Sequence, residues 1–305
     1  MAHNNRIVDE ERDYYCNSLG YRGKKEFKKN QDILISGCSN TFGMGIDENN
    51  IWGAMLAKEM KLDYDNIAIP GFSVDAIVNN IFAYIKEYGS PKYIFIVFPH
   101  FDRMVLPENP ERFMGTYHIN NDNYKLAFSH LDARDFSLPL PSYSKIPHKM
   151  NEVIPYEFTY WIAMQSIHKL EMLCEALNIN LFYGTWSYEN TKTIKHFKDK
   201  NQNFFKYFVD LDNNFEWLEF INMNDENVTS FVKSIYDMND IDHPEVSVYN
   251  NGYVDCHIEY FDSNRDCFFY ATDKHPVPTK SRHFGLHRHL HFKDAFIKSV
   301  KERQI

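Results

Sequence analysis

Short apolar runs alternate with stretches of helical spacing over the first hundred residues. Ile33–Ser36 is a buried-type strand that stops at Gly37. Ile51, Trp52, Met55, Leu56 and Met60 then fall on one helical face. Asn66–Ile69 reads as a second strand, ending at Pro70-Gly71-Phe72-Ser73. Ser73 is placed to cap a helix whose core positions Ile77, Ile81, Phe82 and Ile85 repeat at helical spacing. Gly89 and Pro91 stop that helix, and Tyr93–Phe98 is a third, fully apolar strand. Strand, helix, strand, helix, strand implies right-handed crossovers and a parallel sheet.

The periodicity then fades. Residues 99–157 carry Pro99, Pro107, Pro110, Pro139, Pro141, Pro147 and Pro155 and read as a long excursion with short elements, a candidate lid. Regularity returns with Trp161, Met164, Ile167, Leu170, Cys174 and Leu177, an amphipathic helix, followed by a fourth strand over Leu181–Trp186. Residues 190–260 are mixed, mostly helical in pattern, with polar breaks at Asn213-Asn214, Asn222–Glu226 and Asn250-Asn251-Gly252, and read as a second insertion. A last helix covers Phe292–Val300. Ahead of the first strand, residues 1–31 are polar and charged, and loop statistics make them an N-terminal surface arm. The remainder, 32–305, reads as one domain with insertions at about 99–157 and 190–260.

Composition narrows the function classes. At 305 residues, with 44% hydrophobic and 25% charged positions, the chain can bury a core and is not disordered throughout. A net charge of −9 argues against a general nucleic-acid binder, which needs a basic surface to displace counterions. Cys16, Cys38, Cys174, Cys256 and Cys267 are scattered without a CxxC pair, which favours free thiols in a reducing compartment. Met1-Ala2-His3-Asn4-Asn5-Arg6 has no apolar signal core, and no 18-residue apolar run exists, so the expectation is a cytoplasmic protein with no membrane partner. Virion association would leave no mark on such a sequence.

The chemistry concentrates at strand ends. Ser39 follows the first strand by two residues, within Gly37-Cys38-Ser39-Asn40-Thr41-Phe42-Gly43, where a fold can hold a hydroxyl above the sheet edge. A serine needs a base to take its proton and donors to hold the oxyanion. In open parallel sheets such groups gather at the carboxyl edge. Gly71 ends the second strand, and Phe98-Pro99-His100-Phe101-Asp102-Arg103 ends the third. Asp273-Lys274-His275-Pro276 puts an imidazole and an orienting carboxylate on one loop, in the chain order Ser, Asp, His.

These segments resemble the blocks of the SGNH/GDSL hydrolase superfamily, in its broad bacterial and phage branch. Gly37–Gly43 resembles the first block, with Cys38 where the family name has aspartate. Asn66–Ser73 resembles the second, and Asp273–Pro276 the last; Asn17–Gly23 resembles a leader found before the first strand. The resemblance touches the first ~100 and last ~35 residues. Together with the strand–helix pattern it implies an α/β fold: a flavodoxin-like three-layer α/β/α sandwich with a parallel sheet of about five strands and two insertions. It implies a serine hydrolase cleaving a carboxylic or O-acetyl ester of a carbohydrate or small molecule, without a cofactor. Ser39 would attack, His275 act as base and then acid, and Asp273 orient His275. The backbone N–H groups of Ser39 and Gly71, with His100, would form the oxyanion hole. Oligomeric state is left open.

Two features depart from the family pattern. The third block supplies an asparagine to the oxyanion hole, and here the third strand runs into His100 instead. Losing one such donor typically costs roughly 100- to 1,000-fold in rate. Asp273 also stands two residues before His275, where three is the common spacing. Two rivals follow: an O-acyltransferase using the same triad, and a phage or structural binding protein with a degenerate site. Ser39 could otherwise be a helix cap, Cys38 a thiol nucleophile, and Gly71 a plain turn residue. His100 could be a packed loop histidine. Asp102-Arg103 suits a local ion pair better than a contact to a substrate carboxylate or phosphate. The run His283, His287, His289 and His291 invites a metal reading, but Gly285 weakens a helix there and no carboxylate or cysteine joins them until Asp294, so hydrogen-bonded histidines are expected and no metal. Asn227-Val228-Thr229 matches a glycosylation sequon that means little without a signal peptide.

Overall fold

The structure is a computed structural model that describes residues 5–8, 13–44, 46–101, 103–109, 113–118, 121–127, 156–201, 203–211, 247–248, 254–255 and 286–303. Two short strands, β1 (Asn5–Val8) and β2 (Asp13–Cys16), form an antiparallel pair. The main chain path then runs through β3 (Ile33–Gly37), the one-turn α1 (Ser39–Phe42), α2 (Trp52–Met60), β4 (Tyr64–Asn66), α3 (Val74–Tyr88) and β5 (Tyr93–Phe98). An antiparallel meander follows, β6 (Arg103–Asn109), β7 (Phe113–His118) and β8 (Asn121–Ala127). After it come α4 (Tyr156–Leu177), β9 (Asn180–Thr185), α5 (Tyr188–Lys200), the two-residue strands β10 (Ser247–Val248) and β11 (Val254–Asp255), and α6 (Leu286–Glu302).

The central sheet has the order β4-β3-β5-β9 with every pairing parallel. Strands buried on both faces are apolar at nearly every position, and β5, Tyr-Ile-Phe-Ile-Val-Phe, is buried throughout. Its alternating side chains feed two cores. Ile33, Ile35, Phe95, Val97 and Phe182 face α2 and α6, packing on Trp52, Leu56 and Phe296. Leu34, Ile94, Ile96, Leu181 and Tyr183 face the opposite way, onto Ile77 and Ile81 of α3 and Ile167 and Leu170 of α4. Helices therefore cover both faces, and the chain is the expected three-layer α/β/α sandwich, with four parallel strands among the described residues.

Several local expectations hold, some with shifted boundaries. Ser73 caps α3 by accepting from the Ala76 N–H at 3.4 Å, and Gly89 ends it with a positive φ of 90°. The helix expected from Trp161 begins earlier, at Tyr156. Asn66–Ile69 pairs earlier than expected, over Tyr64–Asn66, yet Ile67 and Ile69 still donate to the carbonyls of Ile35 and Gly37. Two expectations need correction. The start of the proline-rich excursion is the β6–β8 meander, whose proline-interrupted, weakly alternating sequence hides its strands. The expected surface arm is buried over part of its length, between Tyr14 and Arg22. Tyr14, Cys16, Asn17, Tyr21 and Arg22 are all under 9% exposed, and Tyr21 donates its hydroxyl to Asn80 of α3 at 2.9 Å. Cys38 and Cys174 are free, buried thiols, and Cys16 is buried as well. Among the described residues no helix is long and apolar enough to cross a membrane.

Candidate active site at the carboxyl edge

The turn from β3 into α1 is built on Gly37. A Cβ there would lie 2.1 Å from Thr41 Oγ1 and 2.8 Å from the Val97 carbonyl oxygen, so only glycine lets the strand pass directly into the helix. Cys38 takes the N-cap position in extended backbone and its side chain is fully buried among Ile35, Trp52 and Phe95. It fills core volume. Ser39, the first residue of α1, is 8% exposed, with its hydroxyl 4.0 Å from the Cys38 sulfur.

Two side chains hold this turn from below. The Arg22 guanidinium donates to the Phe42 carbonyl at 2.8 Å and to those of Gly43 and Ile46, and stacks over Tyr14 at 4.6 Å. It satisfies the carbonyls that a one-turn helix leaves open at its end. Burial lowers its pKa from the ordinary arginine value, an effect opposed by Tyr14 and Glu48. Asn66 donates to the Thr41 carbonyl at 3.2 Å and accepts from the Ala68 N–H at 3.0 Å, joining α1 to the segment after β4.

That segment runs alongside β3 to its end. Ile69 donates to the Gly37 carbonyl at 3.2 Å, which brings Pro70-Gly71 to the edge where Ser39 stands. Gly71 is buried and has a φ of 85°, a conformation that favours glycine.

The third strand reaches the same edge. Gly37 pairs with Val97, so Cys38 is level with Phe98, and Pro99-His100 continues beyond. The His100 ring meets Trp186 edge-on, centroids 4.3 Å apart. Burial, and to a lesser degree the nearby Arg103 charge, pushes the His100 pKa down to about 3, so the imidazole is neutral at pH 7. A neutral imidazole keeps one N–H donor and one acceptor. The loop is fixed by Asn190 of α5. Its Nδ2 donates to the Pro99 carbonyl at 2.8 Å and to Thr185 Oγ1 at 3.1 Å, and its Oδ1 accepts from the Phe101 N–H at 3.4 Å and the Tyr160 hydroxyl at 3.2 Å. Thr185 in turn donates to the Phe98 carbonyl at 3.1 Å. Arg103 lies with its Cζ 5.7 Å from the Trp186 ring centroid.

Ser39, Gly71 and His100 thus come to one edge of the sheet. His275 and Asp273 lie outside the described residues, as do Asp102, His283 and Asn227. Two members of the histidine run serve as hydrogen-bond partners. His289 Nδ1 accepts from the Trp52 N–H at 3.1 Å, and His291 Nε2 meets the Leu211 carbonyl. Sequence reasoning missed Arg22, Asn190 and the wall formed by Trp186. None lies in a periodic pattern, and each owes its place to a contact across many residues of chain.

An α/β sandwich with a serine on a glycine-dependent strand-to-helix turn is the class these features define. No family model matches the chain, and no curated relative matches it in sequence. Among solved structures it is similar to a protein assigned to the G-D-S-L lipolytic family from Desulfitobacterium hafniense DCB-2, at 15% identity over 60% of this chain and 78% of that one, TM-score 0.33. It is also similar to a carbohydrate esterase family 2 enzyme with its carbohydrate-binding domain from Corynascus thermopiles (Myceliophthora fergusii), at 11% identity over 94% and 71%, TM-score 0.39. An acetyl xylan esterase from the rumen bacterium Butyrivibrio proteoclasticus is similar at 12% identity over 96% and 67%, TM-score 0.37.

Proposed function

We propose that the protein is a serine hydrolase of the SGNH type that cleaves a carboxylic or O-acetyl ester of a carbohydrate or small molecule. The observation that carries this reading is the convergence of the Ser39 turn, the Gly71 turn and the His100 loop on one edge of the parallel sheet. In the proposed reaction His275 takes the Ser39 proton as Oγ attacks the ester carbonyl, and Asp273 steadies the imidazolium that forms. The oxyanion receives the backbone N–H groups of Ser39 and Gly71. His100 supplies the third donor, standing where the family has asparagine; being neutral, it can do so without needing a counter-ion. The tetrahedral intermediate expels the alcohol, which takes its proton from His275, and water then cleaves the acyl-enzyme by the same steps in reverse roles.

Hydrolysis of p-nitrophenyl acetate by wild type and Ser39→Ala tests the reading. The variant is expected to lose at least about 1,000-fold in kcat/KM while keeping its circular dichroism spectrum. Undiminished turnover would remove Ser39 from the mechanism. Failure of a fluorophosphonate to label folded wild-type protein would favour the degenerate binding protein, and acetylation of an added sugar would favour the acyltransferase.

A further inference from the structure

Resting on the reading of Ser39 as the nucleophile, we infer that Arg103 forms an oxyanion-recognising subsite beside it, so that the ester cleaved carries a carboxylate or phosphate near the scissile bond. Arg103 opens β6 on the turn that leaves β5, and its N–H donates to the His100 carbonyl at 3.4 Å. The backbone of Arg103 is thereby tied to the loop that continues β5 at the sheet edge where Ser39 stands.

Its environment is unusual for a cation. The residue keeps intermediate exposure, but Nε and Nη1 are buried, and among the described residues neither has an acceptor. Among the described residues no carboxylate pairs with it. Two buried N–H donors without an acceptor are costly. Arg22 shows the alternative in the same molecule, its buried guanidinium spent on three carbonyls. The Arg103 fork has the geometry that grips a carboxylate or phosphate with two parallel bonds. The loop beneath it is pre-formed by Asn190, and Trp186 presents an aromatic wall to the guanidinium. His100, uncharged at pH 7, does not repel an incoming anion.

The plain alternative is an arginine that only stacks on Trp186. The two are separated by three acetate esters: 4-acetoxybenzoate, 4-acetoxyphenyl phosphate and neutral methyl 4-acetoxybenzoate. Wild type is expected to prefer an anionic ester over the neutral one in kcat/KM, and the preferred anion names carboxylate or phosphate. In Arg103→Gln the anionic-to-neutral ratio should fall about 30-fold, carried by KM, and in Arg103→Lys by less. A stacking residue would change all three esters together, so an unchanged ratio in both variants, or no anionic preference in wild type, overturns the subsite. If wild type cleaves none of the esters, the Ser39 reading fails. The subsite is then tested by calorimetric binding of 4-acetylbenzoate and 4-acetylphenyl phosphate to wild type and Arg103→Lys. Weaker binding of either in the variant supports it, and equal or absent binding of both overturns it.

Discussion

Two loops at the same sheet edge are held in different ways. The Ser39 turn depends on a glycine that tolerates no side chain, with its carbonyls capped by the Arg22 and Asn66 side chains. The His100 loop is fixed by one side chain, Asn190, reaching in from a helix that comes ninety residues later in the chain. The first arrangement gives a single permitted geometry. The second ties the loop's position to the docking of α5 and leaves Nε and Nη1 of Arg103 without an acceptor among the described residues. A nucleophile benefits from the first kind of support, since small misplacement costs rate steeply. A recognition loop can be re-shaped by changing only its brace.

The contrast can be broken most severely at Gly37. Gly37→Ala sets a methyl against Thr41 and against the Val97 carbonyl, which belongs to a central strand and cannot retreat. The expected loss is about 4 kcal/mol or more in urea unfolding, enough to leave little folded protein. A cost under about 1 kcal/mol would show that the turn has room after all.

Asn190→Ala should cost less, about 2–3 kcal/mol, because it strands the Pro99 carbonyl and Phe101 N–H but leaves the backbone pairing of the sheet in place. Under the proposed function its kcat/KM should fall while fluorophosphonate labelling of Ser39 persists. Equal loss of both would mean that the two loops are not independently held.

The smallest effect is electrostatic. His100 has a folded pKa of about 3 against 6.5 in the unfolded chain, so below pH 6.5 the unfolded state binds the extra proton. Stability from this group is present above 6.5 and is lost as pH falls toward 3, at up to about 1.4 kcal/mol per pH unit. Other groups titrate over the same range, so the difference between proteins is the readout. In His100→Gln the stability lost between pH 7 and pH 5 should shrink by about 2 kcal/mol. An identical pH profile in the two proteins would place His100 in contact with solvent.

The sequence made the sheet legible because buried parallel strands leave unbroken apolar runs and their helices leave a periodic stripe. Tyr93–Phe98 and the Ser73 cap are examples where local pattern and tertiary burial agree. The Ser39 turn was readable for a similar reason, as its glycine is a local requirement. Arg22 and Asn190 were not, because what defines them is which distant carbonyls they reach. Tyr21 and Arg22 sit in a stretch whose charge and turn residues suggest an exposed arm, and only their contacts with α3 and the α1 turn reveal otherwise. The meander was hidden by Pro107 and by its uneven alternation. His275 and Asp273 rest on motif and order alone.

The contact between His289 and Trp52 has a consequence for the protein as it is made. Ile51, at the N-cap of α2, has no side-chain oxygen to receive the first free N–H of that helix, and the imidazole 237 residues later supplies the acceptor. Its Nδ1 must therefore carry the lone pair and Nε2 the proton. At ~5–20 residues per second, a ribosome needs on the order of ten seconds or more to deliver it. Until then the layer that α2 begins lacks its second helix, and Trp52 and Phe95, which Phe296 later covers, stand open on the nascent chain. The interval is one in which a chaperone has an apolar surface to hold, and it closes only when the last helix docks.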